Sequence, residues 1–194
     1  MVASKVAQRR EAKIASIVEA AWGLARDRGI QVFSLRDLAR EVGVRQPSLY
    51  AYFESKNDLY DAMFADGNRQ LLRVLEAVDV AAEPRQALKD CLGAFARFAT
   101  EDAARNSLLF HRVIPGFAPS EASYALAVEA LDHVVSHMHA AGVTDSGDID
   151  CLVAMTGGLI EAQLSNDPGG DRWLRHLDRM TDVLVDNALL RSPR

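Results

Sequence analysis

Cysteine is nearly absent: Cys91 and Cys151 are the only two in 194 residues. Two isolated thiols supply neither a disulfide framework nor the ligand set of a structural zinc site. Both fall within apolar helical patterns, so both are expected as buried core residues in a reducing compartment. Long apolar runs are missing as well. None approaches the roughly 20 residues needed to cross a bilayer, so no helical membrane span is expected. The stretch MVASKVAQRREAK has no apolar core that would serve as a secretion signal. The expected location is the cytoplasm. Strand alternation, internal repeats and low-complexity segments are also absent. There is no phosphate-binding glycine loop, nucleophile elbow, HExxH pattern or assignable acid/base pair. An enzyme is therefore not expected, although an all-helical cavity with histidines and acids keeps it as the rival class.

Helical periodicity runs through nearly the whole chain. The first helix is predicted over 5–27, with Ile14, Ile17, Val18, Ala21, Trp22 and Ala25 as its apolar stripe and Gly29 as its C-cap. Short helices follow near 34–42 and 46–53. A longer one spans about 56–79, with Leu59, Met63, Leu71, Val74 and Val78 on its inner side. Pro84 opens the next. Further helices are expected at 108–114, 119–140, 146–165 and 171–191. The fold class is all-α.

The segment SLRDLAREVGVRQPSLYAYFESK, Ser34 to Lys56, has its own organisation. Ser34 suits a cap for the free amides of Arg36 and Asp37. Leu35, Leu38, Ala39 and Val42 give one apolar face, and Gly43 fits a tight turn that needs positive φ. Arg45, Gln46, Pro47 and Ser48 open a second helix, with proline in a first-turn position. Leu49 and Phe53 face inward at i, i+4, leaving Tyr50 and Tyr52 to point elsewhere. This is a helix-turn-helix pattern.

On these residues, with Val44, Lys56 and Leu59, the chain resembles the tetracycline-repressor (TetR) family of bacterial transcription regulators. The resemblance is strong over about 10–65 and weak beyond. Tyr52 stands where many members have histidine, a change that keeps a polar aromatic tip. The resemblance implies a three-helix DNA-binding head, assigned to residues 1–56. It implies a helical effector-binding and dimerisation body over 57–194, and repression rather than activation.

Charge is divided along the same line. The net charge is −5, yet residues 1–56 carry ten Lys/Arg against six Asp/Glu, a balance of +4, while 57–194 carry twelve against twenty-one, a balance of −9. A basic module on an acidic body suits a dedicated nucleic-acid face, because phosphate contacts supply much of the affinity. Arg45, Gln46 and Ser48 occupy the turn that enters the major groove in this docking mode. Arginine clamps guanine O6/N7 and glutamine clamps adenine N6/N7, so Arg45 and Gln46 are the base-reading candidates. Tyr50, Tyr52 and Arg36 are expected on phosphates. Lys56, at the start of a helix, is expected to form an anion site with nearby amides. Lys5, Arg9 and Arg10 suit either a basic arm along DNA or a solvated terminus.

The body is expected to pair with a second copy through its last two long helices, 146–165 and 171–191, as the resemblance implies. The glycines of Thr156-Gly157-Gly158-Leu159 cost helix stability yet permit close approach, and Trp173, Leu174, Leu177, Met180, Leu184 and Val185 make a wide apolar stripe. Phe95, Phe98, Phe110 and Val128 are candidates to line a small-molecule pocket, with Asn106, His111, Tyr124 and His133 as polar anchors. His133 and His137 lie at i, i+4, but no third ligand stands at a recognised spacing, so no metal and no cofactor is expected. The expected partners are double-stranded operator DNA, a small, largely apolar effector and a second copy of the chain. The expected function is a homodimeric repressor released by that effector; a constitutive DNA-binding regulator is the alternative.

Overall fold

The computed structural model describes residues 5–78 and 83–191. Among them are nine α-helices and one 3-10 turn, with no strand. The helices are α1 (Lys5–Arg28), α2 (Leu35–Glu41), α3 (Gln46–Leu49), α4 (Lys56–Glu76), α5 (Pro84–Glu101), α6 (Ala103–Phe110), α7 (Glu121–Ala140), α8 (Ser146–Asn166) and α9 (Leu177–Arg191). The all-α class is as the periodicity requires. The chain divides into two compact units. The first joins the chain up to Gly67 with Ala104–Tyr124, and the second joins Asn68–Ala103 with the chain from Ala125 onward.

In the first unit α1 packs on α2, and α2 on α3. Ile17, Ala21, Trp22, Leu24 and Ala25 of α1 are buried, as are Phe33, Leu38, Leu49, Phe53, Leu59 and Met63. A fully buried side chain of this size contributes about 1.5–3 kcal/mol, so this small unit rests on these contacts. Trp22 also donates its indole N–H to the Asp66 carboxylate at 3.0 Å, fastening α1 to α4. At Gly67 α4 comes close to α6: a Cβ there would sit 3.0 Å from the Leu109 side chain.

In the second unit α5, α8 and α9 pack against one another. Leu88, Cys91 and Leu92 of α5, Leu152 and Ile160 of α8, and Leu177 and Val185 of α9 are buried. Burial in apolar surroundings pushes the Cys91 thiol up to about 12, leaving it an inert core group. Cys151 differs from the expectation. It is exposed, on the face of α8 away from Leu152, Thr156 and Ile160. Val74 likewise lies partly exposed rather than inward.

Three boundaries differ from those the periodicity suggests. The second motif helix is one turn, Gln46–Leu49, and the chain then tightens, with the Tyr52 and Phe53 amides both donating to Leu49 O at 2.8 and 3.0 Å. The helix expected at 108–114 lies earlier, at Ala103–Phe110, because extended Asp102 ends α5 one residue before α6 begins. The last helix starts at Leu177 rather than 171. The Gln163 side-chain carbonyl accepts the Trp173 and Leu174 amides at 2.9 and 3.4 Å, which holds that stretch in a turn before the 3-10 turn Leu174–His176. The helix expected over about 56–79 runs from Lys56 to Glu76, with Ala77 and Val78 in a turn and bend, and residue 79 lies outside the described residues.

Candidate nucleic-acid interface

The helix-turn-helix is set by its caps. Ser34 is extended at φ −106°, its hydroxyl oxygen accepts the Asp37 amide at 3.2 Å, and the Asp37 carboxylate accepts the Ser34 amide at 3.0 Å. This reciprocal capping box contributes on the order of 1 kcal/mol to the start of α2. The Arg36 amide is not part of it. Hydrogen bonds from the Ser34 hydroxyl and amide, with Arg28 at 3.1 Å, hold the Asp37 carboxyl down at about 2. After α2, the Val44 amide donates to Ala39 O at 2.9 Å across Gly43, whose φ of +68° is left-handed. A side chain there would be strained, so the turn that aims α3 depends on this glycine.

The turn presents a polar edge. Arg36, Arg45, Ser48 and Tyr50 are exposed, Tyr50 by 49%, and Gln46 and Tyr52 are half-buried. Arg45 sits at the N-cap of α3 in extended backbone and its side chain makes no cap bond. Among the described residues, neither Arg36 nor Arg45 is paired with an acid, whereas Arg26 and Arg28 are taken by Glu19 and Asp37. The motif therefore keeps its outward cations uncompensated.

Lys56 is held more firmly than the others. Its ammonium donates to Gln31 O at 3.1 Å and lies 4.9 Å from the Phe33 ring centre and 5.1 Å from that of Tyr60. Burial lowers its pKa, and the charge of Asp37 opposes that shift. One of three ammonium donors is used, which leaves two for a ligand. Ser55 and Asp58 cap α4 reciprocally at 2.8 and 3.2 Å, which leaves the first-turn amides of Lys56 and Asn57 outside the capping box.

Residues 17–63 match the sequence profile of bacterial regulatory proteins of the tetR family. Over those residues, which span the helix-turn-helix and its flanking helices, the chain is similar to that family. Over 103 residues it is 30% identical to a Mycobacterium tuberculosis protein named "Putative mycofactocin biosynthesis transcriptional regulator MftR", covering 53% of this chain and 52% of that protein. The chain thus spans about half the length of that curated relative. It also resembles the crystal structure of the TetR family transcriptional regulator PfmR from Thermus thermophilus, with a TM-score of 0.67 and 19% identity over 92% of this chain and 96% of the other. A structure of BioQ with its double-stranded DNA operator is similar at a TM-score of 0.63 and 21% identity, over 92% and 98% of the two chains. At these identities the likeness to solved structures is one of fold.

The candidate effector residues fall in both compact units. Asn106, Phe110, His111 and Tyr124 belong to the first unit, and Phe95, Phe98, Val128 and His133 to the second. Asn106 is buried and its amide donates to His111 Nε2 at 3.2 Å. Phe98 is buried and Phe95 half-buried, while Phe110, Tyr124 and Val128 are exposed by 40%, 57% and 41%. The half-buried His133 donates from Nε2 to Leu75 O at 3.1 Å, and its ring stands 5.2 Å from that of His137. Desolvation and the neighbouring His133 lower the pKa of the buried His137. Among the described residues, no group of three or more His, Cys, Asp or Glu is placed to hold a metal ion. No helix among them is long and apolar enough to cross a membrane.

Sequence reasoning missed a set of contacts inside the first unit. Gln31 donates to Val113 O at 2.6 Å, Tyr60 donates to Ile30 O at 2.8 Å, and the Tyr60 ring packs edge-on against Phe33 and Phe117. Burial pushes the Tyr60 hydroxyl up to about 12. The Asp61 carboxylate accepts the Ser120 amide at 2.7 Å, the Ser120 hydroxyl at 2.9 Å and the Ser123 hydroxyl at 2.8 Å. The Gln31 and Asp61 partners are 59 to 82 residues apart in sequence, beyond the reach of any local pattern.

Proposed function

We propose that this chain is a homodimeric, cytoplasmic DNA-binding repressor, with residues 1–56 as the DNA head and 57–194 as the effector-binding and dimerisation body. The observation that carries the reading is the polar edge of the helix-turn-helix, where Arg36 and Arg45 stand exposed with no acid paired to them among the described residues, while Arg26 and Arg28 are neutralised by Glu19 and Asp37. Arg45 and Gln46, with Ser48, read base edges in the major groove. Arg36, Tyr50, Tyr52 and Lys56 hold phosphates and set the register. Selecting operators from a random duplex library, followed by gel-shift titration on a selected and a scrambled duplex, tests this. Equal affinity for both would end the sequence-reading role.

The dimer is assigned to α8 and the segment ending in α9. In a single chain these helices leave Val153, Met155, Val183, Leu189 and Leu190 exposed, and Gly157 and Gly158 have open space where a Cβ would stand. A second copy would cover this apolar surface. Met155→Glu should then yield monomers in sedimentation; a persistent dimer would place the interface elsewhere.

The switch follows from a small, largely apolar effector that binds the DNA-incompetent state more tightly. Supporting it, segment 113–123 is fastened to Gln31, Tyr60 and Asp61 within the head's own compact unit. The second reading, a regulator without effector, is favoured by the exposure of Phe110, Tyr124 and Val128. Operator binding relieved by a compound from a small-molecule library supports the first, and binding that nothing relieves supports the second.

A further inference from the structure

The cations near the start of α1 differ in how they are held. Arg10 alone among Lys5, Arg9 and Arg10 is tied to the helix-turn-helix: its guanidinium lies 5.9 Å from the Tyr52 ring centre, and Nη2 donates to Ala51 O at 3.4 Å. Ala51 and Tyr52 lie two and three residues past the end of α3 at Leu49, so α1 reaches the turn that follows the motif's second helix. Arg10 is exposed, and among the described residues no acid pairs with it, unlike Arg26 and Arg28. The contact to Ala51 occupies one of its five N–H donors.

We propose that Arg10 and Tyr52 form one composite phosphate clamp, in which the tyrosine ring stations the guanidinium and its remaining N–H groups grip a backbone phosphate. The inference rests on the DNA-binding reading and adds to it a contact from outside the helix-turn-helix. A guanidinium stacked on a ring loses less freedom on binding than one on a free arm, and its planar fork matches two phosphate oxygens. The same stacking links the phosphate to the orientation of α3, which carries the base-reading residues.

Fluorescence anisotropy on a selected operator and on a mixed-sequence duplex, across a salt series, tests the clamp. Arg10→Gln keeps an amide donor for Ala51 O but removes the charge. It should weaken both duplexes alike by about five- to tenfold and reduce the slope of log K against log salt by about 0.9 per head. Arg10→Lys should keep the slope and lose less affinity. Tyr52→Leu should weaken binding, and the double variant should lose less than the product of the two single losses. Unchanged affinity and slope in Arg10→Gln, with an unchanged unfolding midpoint, would mean that Arg10 merely caps the helix end and would overturn the clamp. A loss confined to the operator would overturn it too, since phosphates carry no sequence. Wild-type protein that binds neither duplex would instead remove the DNA-binding reading on which the clamp rests.

Discussion

The two compact units spend their charges in opposite ways. In the first, three acids serve internal duties: Glu19 pairs with Arg26, Asp37 with Arg28 and Ser34, and Asp61 with Ser120 and Ser123. The cations of the motif edge, Arg36 and Arg45, stay without an acid among the described residues. In the second unit three cations are paired with acids. Arg85 pairs with Asp182 and Asp186 at 3.6 and 2.6 Å, Lys89 with Asp182 at 2.7 Å, and Arg191 with Asp148. The negative total therefore misdescribes the surface that would meet DNA. What counts is which sign each unit leaves over after its own structure is satisfied.

Core truncation would break this comparison most severely. Leu38 and Leu88 are both fully buried, one in each unit. Leu38→Ala and Leu88→Ala should each cost about 2–5 kcal/mol of stability, read by thermal or urea unfolding. Leu38→Ala should abolish DNA binding while leaving sedimentation unchanged. Leu88→Ala should disturb sedimentation first. If both variants lose both properties together, the units do not act separately.

Next in size comes Arg45→Ala. Loss of a bidentate base contact costs about 1–3 kcal/mol, and the loss should appear on operator and vanish on scrambled duplex. Lys56→Ala should instead weaken both duplexes alike. A smaller effect is expected in the second unit. Lys89 is mostly buried beside Asp182, and Lys89→Ala should lower stability by roughly 1 kcal/mol without moving the affinity for either duplex. A change in DNA affinity from Lys89→Ala would show that charges of the second unit reach the DNA face.

Legibility followed range. The α2–α3 motif could be read because its signals are local: a cap at Ser34, a left-handed turn at Gly43 and an i, i+4 pair at Leu49 and Phe53 lie within twenty residues. The same locality made Arg45 and Gln46 visible as outward residues. Arg10 was ambiguous, because its partner Ala51 lies 41 residues away, with the Tyr52 ring just beyond, and only the fold brings them together. Gln31, Asp61 and Ser120 gave no signal, since a surface glutamine or serine looks the same whether or not a distant carbonyl or carboxylate awaits it. Cys151 misled for a different reason. On an unusually apolar helix such as α8, periodicity cannot tell a face buried in one chain from a face left open.

The subtlest difference between the units concerns acid. Asp37 titrates at about 2 in the folded chain against 3.8 when free, chiefly through its bonds from Ser34 and then through Arg28. Between those values the unfolded chain binds more protons, so stability rises with pH there. The Asp37 contribution is fully present above about 3.8 and is lost as pH falls toward 2. Asp167 in the second unit is also lowered, by the Arg172 amide and Gln163. The chain's two tryptophans report on each unit separately, Trp22 in the first and Trp173 in the second. In a Trp173→Phe background, Asp37→Asn should flatten the acid limb followed by Trp22 fluorescence. In a Trp22→Phe background, the same substitution should leave the Trp173 limb in place, and Asp167→Asn should move it. Equal movement of both reporters by Asp37→Asn would mean that the units unfold as one, so that their opposite use of charge divides the surface but not the stability.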